Sequence, residues 1–169
     1  MSYDLHLFRP PPGADLAAAD LAAAGLHSFQ HEGDGPATPA SEARKRALAD
    51  ALIRHDPRLA VLPEDWPDAS LIPPPVELAA GDGSGIRILI FDRTAALELP
   101  YARGDDAWAR ARGYLRVLEE AGGFRTFDPQ TGEVLDLGAR PSAEDADGYR
   151  RGDAVIQRIL EQSDDPPGA

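Results

Sequence analysis

The chain contains no cysteine. That excludes disulfides, thiol catalysis and thiolate metal sites, and it is what a reducing cytosol permits. Lysine is almost as scarce. Lys45 is the only one, and the rest of the 17 basic residues are arginine. With abundant Ala, Gly and Pro, this is the footprint of a GC-rich coding sequence, so raw Ala and Pro counts carry little structural information. No run approaches the roughly eighteen apolar residues that a membrane span needs. The opening Met1-Ser2-Tyr3-Asp4-Leu5-His6 has neither a basic n-region nor an apolar h-region, so a cytoplasmic chain without a secretory signal is expected.

Positive charge is also in deficit. Against 17 Lys+Arg stand 29 Asp+Glu, a formal net charge of −12 in 169 residues. The surplus is even: 15 acids against 9 bases in residues 1–103, and 14 against 8 in 104–169, so each part carries −6. Disorder requires low hydrophobicity as well as charge. Here 43% of residues are apolar, enough to build a core at this size. A single α+β domain over 1–162 is expected, followed by a flexible acidic tail over 163–169.

Residues 3–9 alternate and read as a strand, ended by Pro10-Pro11-Pro12-Gly13. Two Asp-Leu-Ala-Ala-Ala echoes, from Asp15 and Asp20, read as a short helix stopping at Gly25. Thr38-Pro39 predicts the start of a helix reaching about Arg54. Its expected core face is Ala40, Ala43, Ala47, Leu48, Ala51 and Leu52, and Glu42 and Arg46 form an expected i,i+4 pair. The Pro-rich stretch 56–75 reads as an irregular connection, and long loops of this kind are often functional. Strands are expected at 76–79, 86–91 and 95–99, joined in an antiparallel meander, with 86–91 buried on both faces.

Asp105 or Asp106 is the expected cap of a helix to Ala121, with Trp108, Ala111, Leu115, Leu118 and Ala121 as its stripe. Gly122-Gly123 ends it. Residues 124–127 and 133–137 read as a hairpin around Asp128-Pro129-Gln130-Thr131-Gly132. A last helix over 143–162 has Val155, Ile156, Ile159 and Leu160 as its expected core face. The order β-α-α-β-β-β-α-β-β-α defines an α+β fold, an antiparallel-dominated sheet of about six strands with helices packed on it.

No motif forces a reaction. His27 and His31 are four apart, but they follow a helix-stopping glycine, and Glu32 lies after the pair instead of inside an H-E-x-x-H pattern; no metal site is expected. Gly81-Asp82-Gly83-Ser84-Gly85 resembles a phosphate cradle, but a strand pattern follows where a cradle needs a helix. Ser84 fails as a nucleophile for the same reason. Asp128 is most simply an Asx-turn residue. Nucleic acid is disfavoured, because the densest basic run is only Arg44-Lys45-Arg46, beside Glu42 and Asp50. No cofactor is expected.

Two places remain for a protein partner. Trp66 stands in the acidic, Pro-stiffened run Pro63-Glu64-Asp65-Trp66-Pro67-Asp68, and interface anchors are enriched in Trp; its alternative role is to lid the core. Asp105 and Asp106 favour a helix dipole, whereas Glu119 and Glu120 oppose one and need another reason. The expected partner-binding residues are therefore Glu64, Asp65, Trp66, Asp68, Glu119 and Glu120.

The opening Met1-Ser2-Tyr3-Asp4-Leu5, the Gly122-Gly123 helix stop, the run Phe127-Asp128-Pro129-Gln130-Thr131-Gly132 and the acidic balance resemble small bacterial proteins of the toxin-immunity kind. The matching motifs are turns and strands, so the resemblance carries over no binding residue. It implies a cytoplasmic antitoxin that binds and neutralises a cognate, basic toxin or effector through an acidic surface. An acidic secretion chaperone or adaptor is the alternative, usually dimeric where an immunity protein is monomer or homodimer. An enzyme using scattered carboxylates is a third reading.

Overall fold

The computed structural model describes residues 2–10, 13, 23, 38–63, 74–101, 103–138 and 147–163, with side chains at 104, 105 and 159–163 left aside. Seven strands form one antiparallel sheet: β1 (Ser2–Phe8), β2 (Leu59–Val61), β3 (Val76–Ala80), β4 (Arg87–Ile90), β5 (Thr94–Pro100), β6 (Arg125–Asp128) and β7 (Glu133–Val134). Their spatial order is β2-β3-β4-β5-β1-β6-β7. Three helices lie among the described residues: α1 (Pro39–His55), α2 (Gly104–Gly122) and α3 (Asp147–Ser163). The α+β architecture and the β3–β4–β5 meander are as the sequence predicts. None of these helices is long and apolar enough to cross a membrane. The helix expected after Asp15 and the pair His27 and His31 lie outside the described residues, apart from Ala23. The expected tail does too, except Ser163, which ends α3.

Alternation sends Tyr3, Leu5 and Leu7 of β1 to one face, with Leu97 and Leu99 of β5, Ile88 and Ile90 of β4 and Leu78 of β3. Leu48 and Leu52 of α1, Trp108, Ala111, Leu115 and Leu118 of α2, and Tyr149 of α3 pack on this face as one core. Phe8, Leu89 and Phe127 are also buried, but they belong to the opposite face. Beside them, Arg87 crosses between Glu77 of β3 and Glu98 of β5 as a cross-strand charge ladder.

Several local expectations need correction. The 56–75 stretch contains a strand, β2, which pairs Leu59 with Ala80 and Val61 with Leu78. The hairpin's second strand is only Glu133–Val134. Helix α1 begins after Thr38, as Thr38-Pro39 predicts, and its cap is a full capping box: Thr38 Oγ1 accepts from Ser41 N at 3.1 Å, and Thr38 N donates to Ser41 Oγ at 3.0 Å. Its buried face, however, is Ser41, Lys45, Leu48, Ala49 and Leu52, while Ala40, Ala43 and Ala47 are exposed. Leu48 and Leu52 belong to both the expected and the observed face; the helix is rotated about them so that Ser41, Lys45 and Ala49 are buried in place of Ala40, Ala43 and Ala47. Glu42 pairs with Lys45 at 2.7 Å instead of Arg46.

Helix α2 has Arg103 at its N-cap with no side-chain cap bond, so neither Asp105 nor Asp106 is the cap; both fall within the first turn. Ala121 is exposed, whereas Trp108, Ala111, Leu115 and Leu118 are buried as expected, and Tyr114 is buried with them. The helix ends at Gly123, whose φ of 67° lets its N–H reach Glu119 O at 3.0 Å. Helix α3 touches the core through Tyr149, while Val155 is 53% exposed and Ile156 half-buried.

Two buried tyrosine–aspartate pairs tie distant parts of the chain together. Tyr114 of α2 donates to Asp56 Oδ2 just after α1. Asp56 also receives Arg58 Nε at 2.8 Å and Nη2 at 2.9 Å. The Arg58 guanidinium, then the Tyr114 hydroxyl, hold the Asp56 carboxyl well below the usual carboxylate range. Tyr3 of β1 donates to Asp128 Oδ2 at the end of β6. Burial first, and the carboxylate second, push both phenols above their ordinary range.

Candidate partner-binding site

The β6–β7 turn is built by Asp128. Its Oδ1 accepts from Gln130 N at 2.9 Å and Thr131 N at 3.4 Å, the Asx turn that the sequence predicts. Gly132, at φ 75°, closes the turn with its N–H on Asp128 O at 2.8 Å. With Tyr3 on its other oxygen, Asp128 is only 2% exposed. This rigid turn forms one wall of a cleft, and the first turn of α3 forms the other.

The cleft has a volume of about 600 Å³ and is lined by Asp128, Glu133, Asp136 and Asp147, with Thr131 and Gly148 between them and Arg151 at the edge. Three exposed carboxylates, from Glu133, Asp136 and Asp147, thus share the cleft with one guanidinium, while the Asp128 carboxylate is spent within its turn. Glu133, Asp136, Asp147 and Arg151 are exposed. Asp136 Oδ1 accepts from Gly138 N at 3.0 Å, and Asp147 stands 3.9 Å from Arg150 across half-exposed side chains, a contact of little energy in water. Among the described residues, no group of His, Asp and Glu is arranged to hold a metal ion. The chemistry on offer is recognition of positive charge, with ammonium or guanidinium groups as the natural complement.

The structure treats the expected site residues differently. Glu64, Asp65, Trp66 and Asp68 lie outside the described residues. Glu120 is exposed on the last turn of α2. Glu119 turns inward and accepts from Thr126 N and Thr126 Oγ1, both at 3.3 Å. Here is the structural reason that its place near a helix C-terminus requires. Burial pushes its carboxyl above the ordinary value, and Asp136 adds to this while Arg125 opposes it. Through Asp136 it is an electrostatic neighbour of the cleft.

Because the folded-state pKa of Glu119 is raised above the unfolded value of about 4.3, ionisation costs stability as pH rises through that window, and the cost persists at neutral pH. Glu119→Gln keeps an acceptor for Thr126 and removes the charge from the negative end of the helix. The variant is expected to gain up to about 1 kcal/mol at pH 7 and nothing at pH 3. Urea unfolding at both pH values measures this. A loss at pH 7 would mean that the charge strengthens the Thr126 bonds by more than its burial costs.

The cleft residues themselves carried almost no sequence signal. Asp128 has a complete local account as a turn residue. Asp147 joins Glu133 and Asp136 only because α3 folds back on the hairpin. No family model matches the chain, and no curated protein and no solved structure matches it.

Proposed function

We propose that this chain is a binding protein that captures and neutralises a basic protein partner, as the resemblance to immunity proteins implies. The observation that supports this most directly is the cleft between the β6–β7 turn and α3, which three exposed carboxylates, Glu133, Asp136 and Asp147, line together with one arginine. The even surplus of acids adds a long-range field of the same sign. Such a field accelerates capture of a cationic surface and repels anionic competitors. The cleft then receives the lysine or arginine side chains that the field has drawn in. Inhibition follows from occlusion: a toxin whose own substrate is an anion presents its basic active-site surface to this acidic one.

The triple variant Glu133→Gln, Asp136→Asn, Asp147→Asn removes three exposed charges and keeps their acceptors, so folding is expected to be unaffected. On co-purification from the source cell at low salt, the parent chain is expected to retain a basic protein that is inactive while bound and released by salt. The variant is expected to associate about tenfold more slowly. A partner whose on-rate is independent of salt, or equal for parent and variant, would refute the reading. A captured protein that stays active, with this chain dimeric by light scattering, would favour the adaptor alternative.

A further inference from the structure

The Gly81–Gly85 turn lacks a helix after it in sequence, but the fold brings one to it from elsewhere. The start of α2, the segment after α1 and this turn converge on a second cleft, of about 440 Å³. Its lining holds three guanidiniums, from Arg58, Arg103 and Arg110, together with Ser84 and a single carboxylate, Asp106. In a chain with a net charge of −12, three arginines lining one cleft balance the carboxylates of Asp56, Asp82 and Asp106 beside them, so the acid surplus is absent here. The volume lies within the range of about 300–1,000 Å³ typical of small-ligand sites.

The guanidiniums are held in place. Arg58 spends Nε and Nη2 on Asp56 at 2.8 and 2.9 Å, which leaves Nη1 directed at Asp82 Oδ2, 3.6 Å away. Arg110 Nη1 donates to the same oxygen. Two arginines from different elements thus aim at one anionic oxygen beside the cleft. Asp82 is fixed in turn by Ser84 N, which donates to its Oδ1 at 3.0 Å. Bonds from Ser84 and then Arg110 hold the Asp82 carboxyl well below the usual carboxylate range. Arg103 is exposed at the mouth.

We propose that this arginine-lined cleft binds a phosphate monoester, with Asp82 as a built-in competitor for two of its three guanidiniums. A phosphate dianion offers three acceptor oxygens, one for each guanidinium, whereas a carboxylate offers two; guanidiniums match phosphate through forked, charge-assisted bonds. The cleft is larger than a bare phosphate requires, which leaves room for the group that carries the ester.

Titration of the purified chain with phenyl phosphate, inorganic phosphate and benzoate, followed calorimetrically at constant ionic strength, tests this without any protein partner. Phenyl phosphate is expected to bind at one site, tightest, and at least tenfold more strongly than benzoate. Its affinity is expected to rise with pH as the ester takes its second charge near pH 6. Arg103→Gln, at an exposed position, is expected to weaken binding about tenfold or more. Asp82→Asn retains the oxygen that receives Ser84 N but frees Arg58 and Arg110, and is expected to tighten binding several-fold. Equal binding of phosphate and carboxylate probes, or affinity unchanged by Arg103→Gln, would overturn the proposal. Should Asp82→Asn fold poorly, the Arg103 variant decides alone.

Discussion

Lys45→Met is expected to destabilise the fold by about 3–5 kcal/mol, the range for removing one member of a buried charge cluster. Lys45, the only lysine of the chain, is 1% exposed. Its Nζ lies 2.7 Å from Glu42 Oε1 and 3.3 Å from Asp92 Oδ1, and it donates to Pro74 O at 2.9 Å. Those three partners stand on α1, on the turn between β4 and β5, and at the entry to β3. One ammonium therefore fastens the helix to two parts of the sheet. Methionine fills similar volume but donates nothing, so Asp92, whose side chain is 19% exposed, keeps its desolvation cost and loses the ammonium 3.3 Å away. Arg9 Nη1 donates to Asp92 O at 3.1 Å and supports the backbone of that turn.

Urea unfolding of Lys45→Met, Asp92→Asn and the double variant at pH 7 measures the effect. The double variant is expected to be less impaired than the sum of the singles, by about 1 kcal/mol or more. A loss below about 1 kcal/mol for Lys45→Met would mean that the ion pairs only offset their own desolvation. An independent check uses the chemistry of the amine. Lys45 in the native protein is expected to resist amine-reactive reagents and to be labelled as urea unfolds the chain.

This lysine also marks the boundary of what the sequence reveals. Elements whose signal is local were legible: the β3–β4–β5 meander, the helix start at Thr38-Pro39, the Trp108–Leu118 stripe, the glycine stop at Gly123 and the Asx turn at Asp128 each depend on neighbours within a few residues. Strand β2 was not, because three residues show no periodicity and β2 exists by pairing with β3. The buried face of α1 was misread because alanines surround it and because Lys45 sits in the run Arg44-Lys45-Arg46, which reads as solvated. Arg44 and Arg46 are exposed; the residue between them is inside, for reasons supplied by Asp92 and Pro74. Glu119 shows the same logic for the candidate site. Its poor fit with the helix dipole was visible, but the Thr126 groups that accommodate it lie on the next strand. The arginine cleft joins segments distant in sequence, and the acidic one depends on how α3 docks beside the hairpin, so charge surplus announced that a surface mattered without saying where it folds into a cleft.

Tyr149→Ala is expected to have the second largest effect, about 3–5 kcal/mol by comparison with other buried aromatic truncations, concentrated in the docking of α3. The Tyr149 ring is stacked between Tyr101, 5.8 Å away at 9°, and Trp108, 5.9 Å away at 15°, and meets the edge of Tyr3 at 5.8 Å. Its hydroxyl donates to Pro100 O at 3.2 Å. Beyond their buried area, such aromatic pairs contribute about 0.5–1.5 kcal/mol each. Helix α3 can come this close because Gly148 and Gly152, four residues apart, present no side chain to the sheet. A methyl group at Gly148 would collide with the Tyr3 hydroxyl, and one at Gly152 with the Tyr101 ring. The two collisions differ in consequence. Tyr3 is fully buried and its hydroxyl is committed to Asp128, so it has no room to yield. Tyr101 is only half-buried and can swing outward. Gly148→Ala is therefore expected to cost more than Gly152→Ala, by about 1 kcal/mol or more on the scale of overpacked cores. Since Asp147, Gly148 and Arg151 line the acidic cleft, loosening α3 also opens one of its walls. Hydrogen exchange of the α3 amides reports the docking directly: the order of protection is expected to be parent, Gly152→Ala, Gly148→Ala, Tyr149→Ala. Equal protection in parent and Tyr149→Ala would show that α3 is held by contacts other than this aromatic stack.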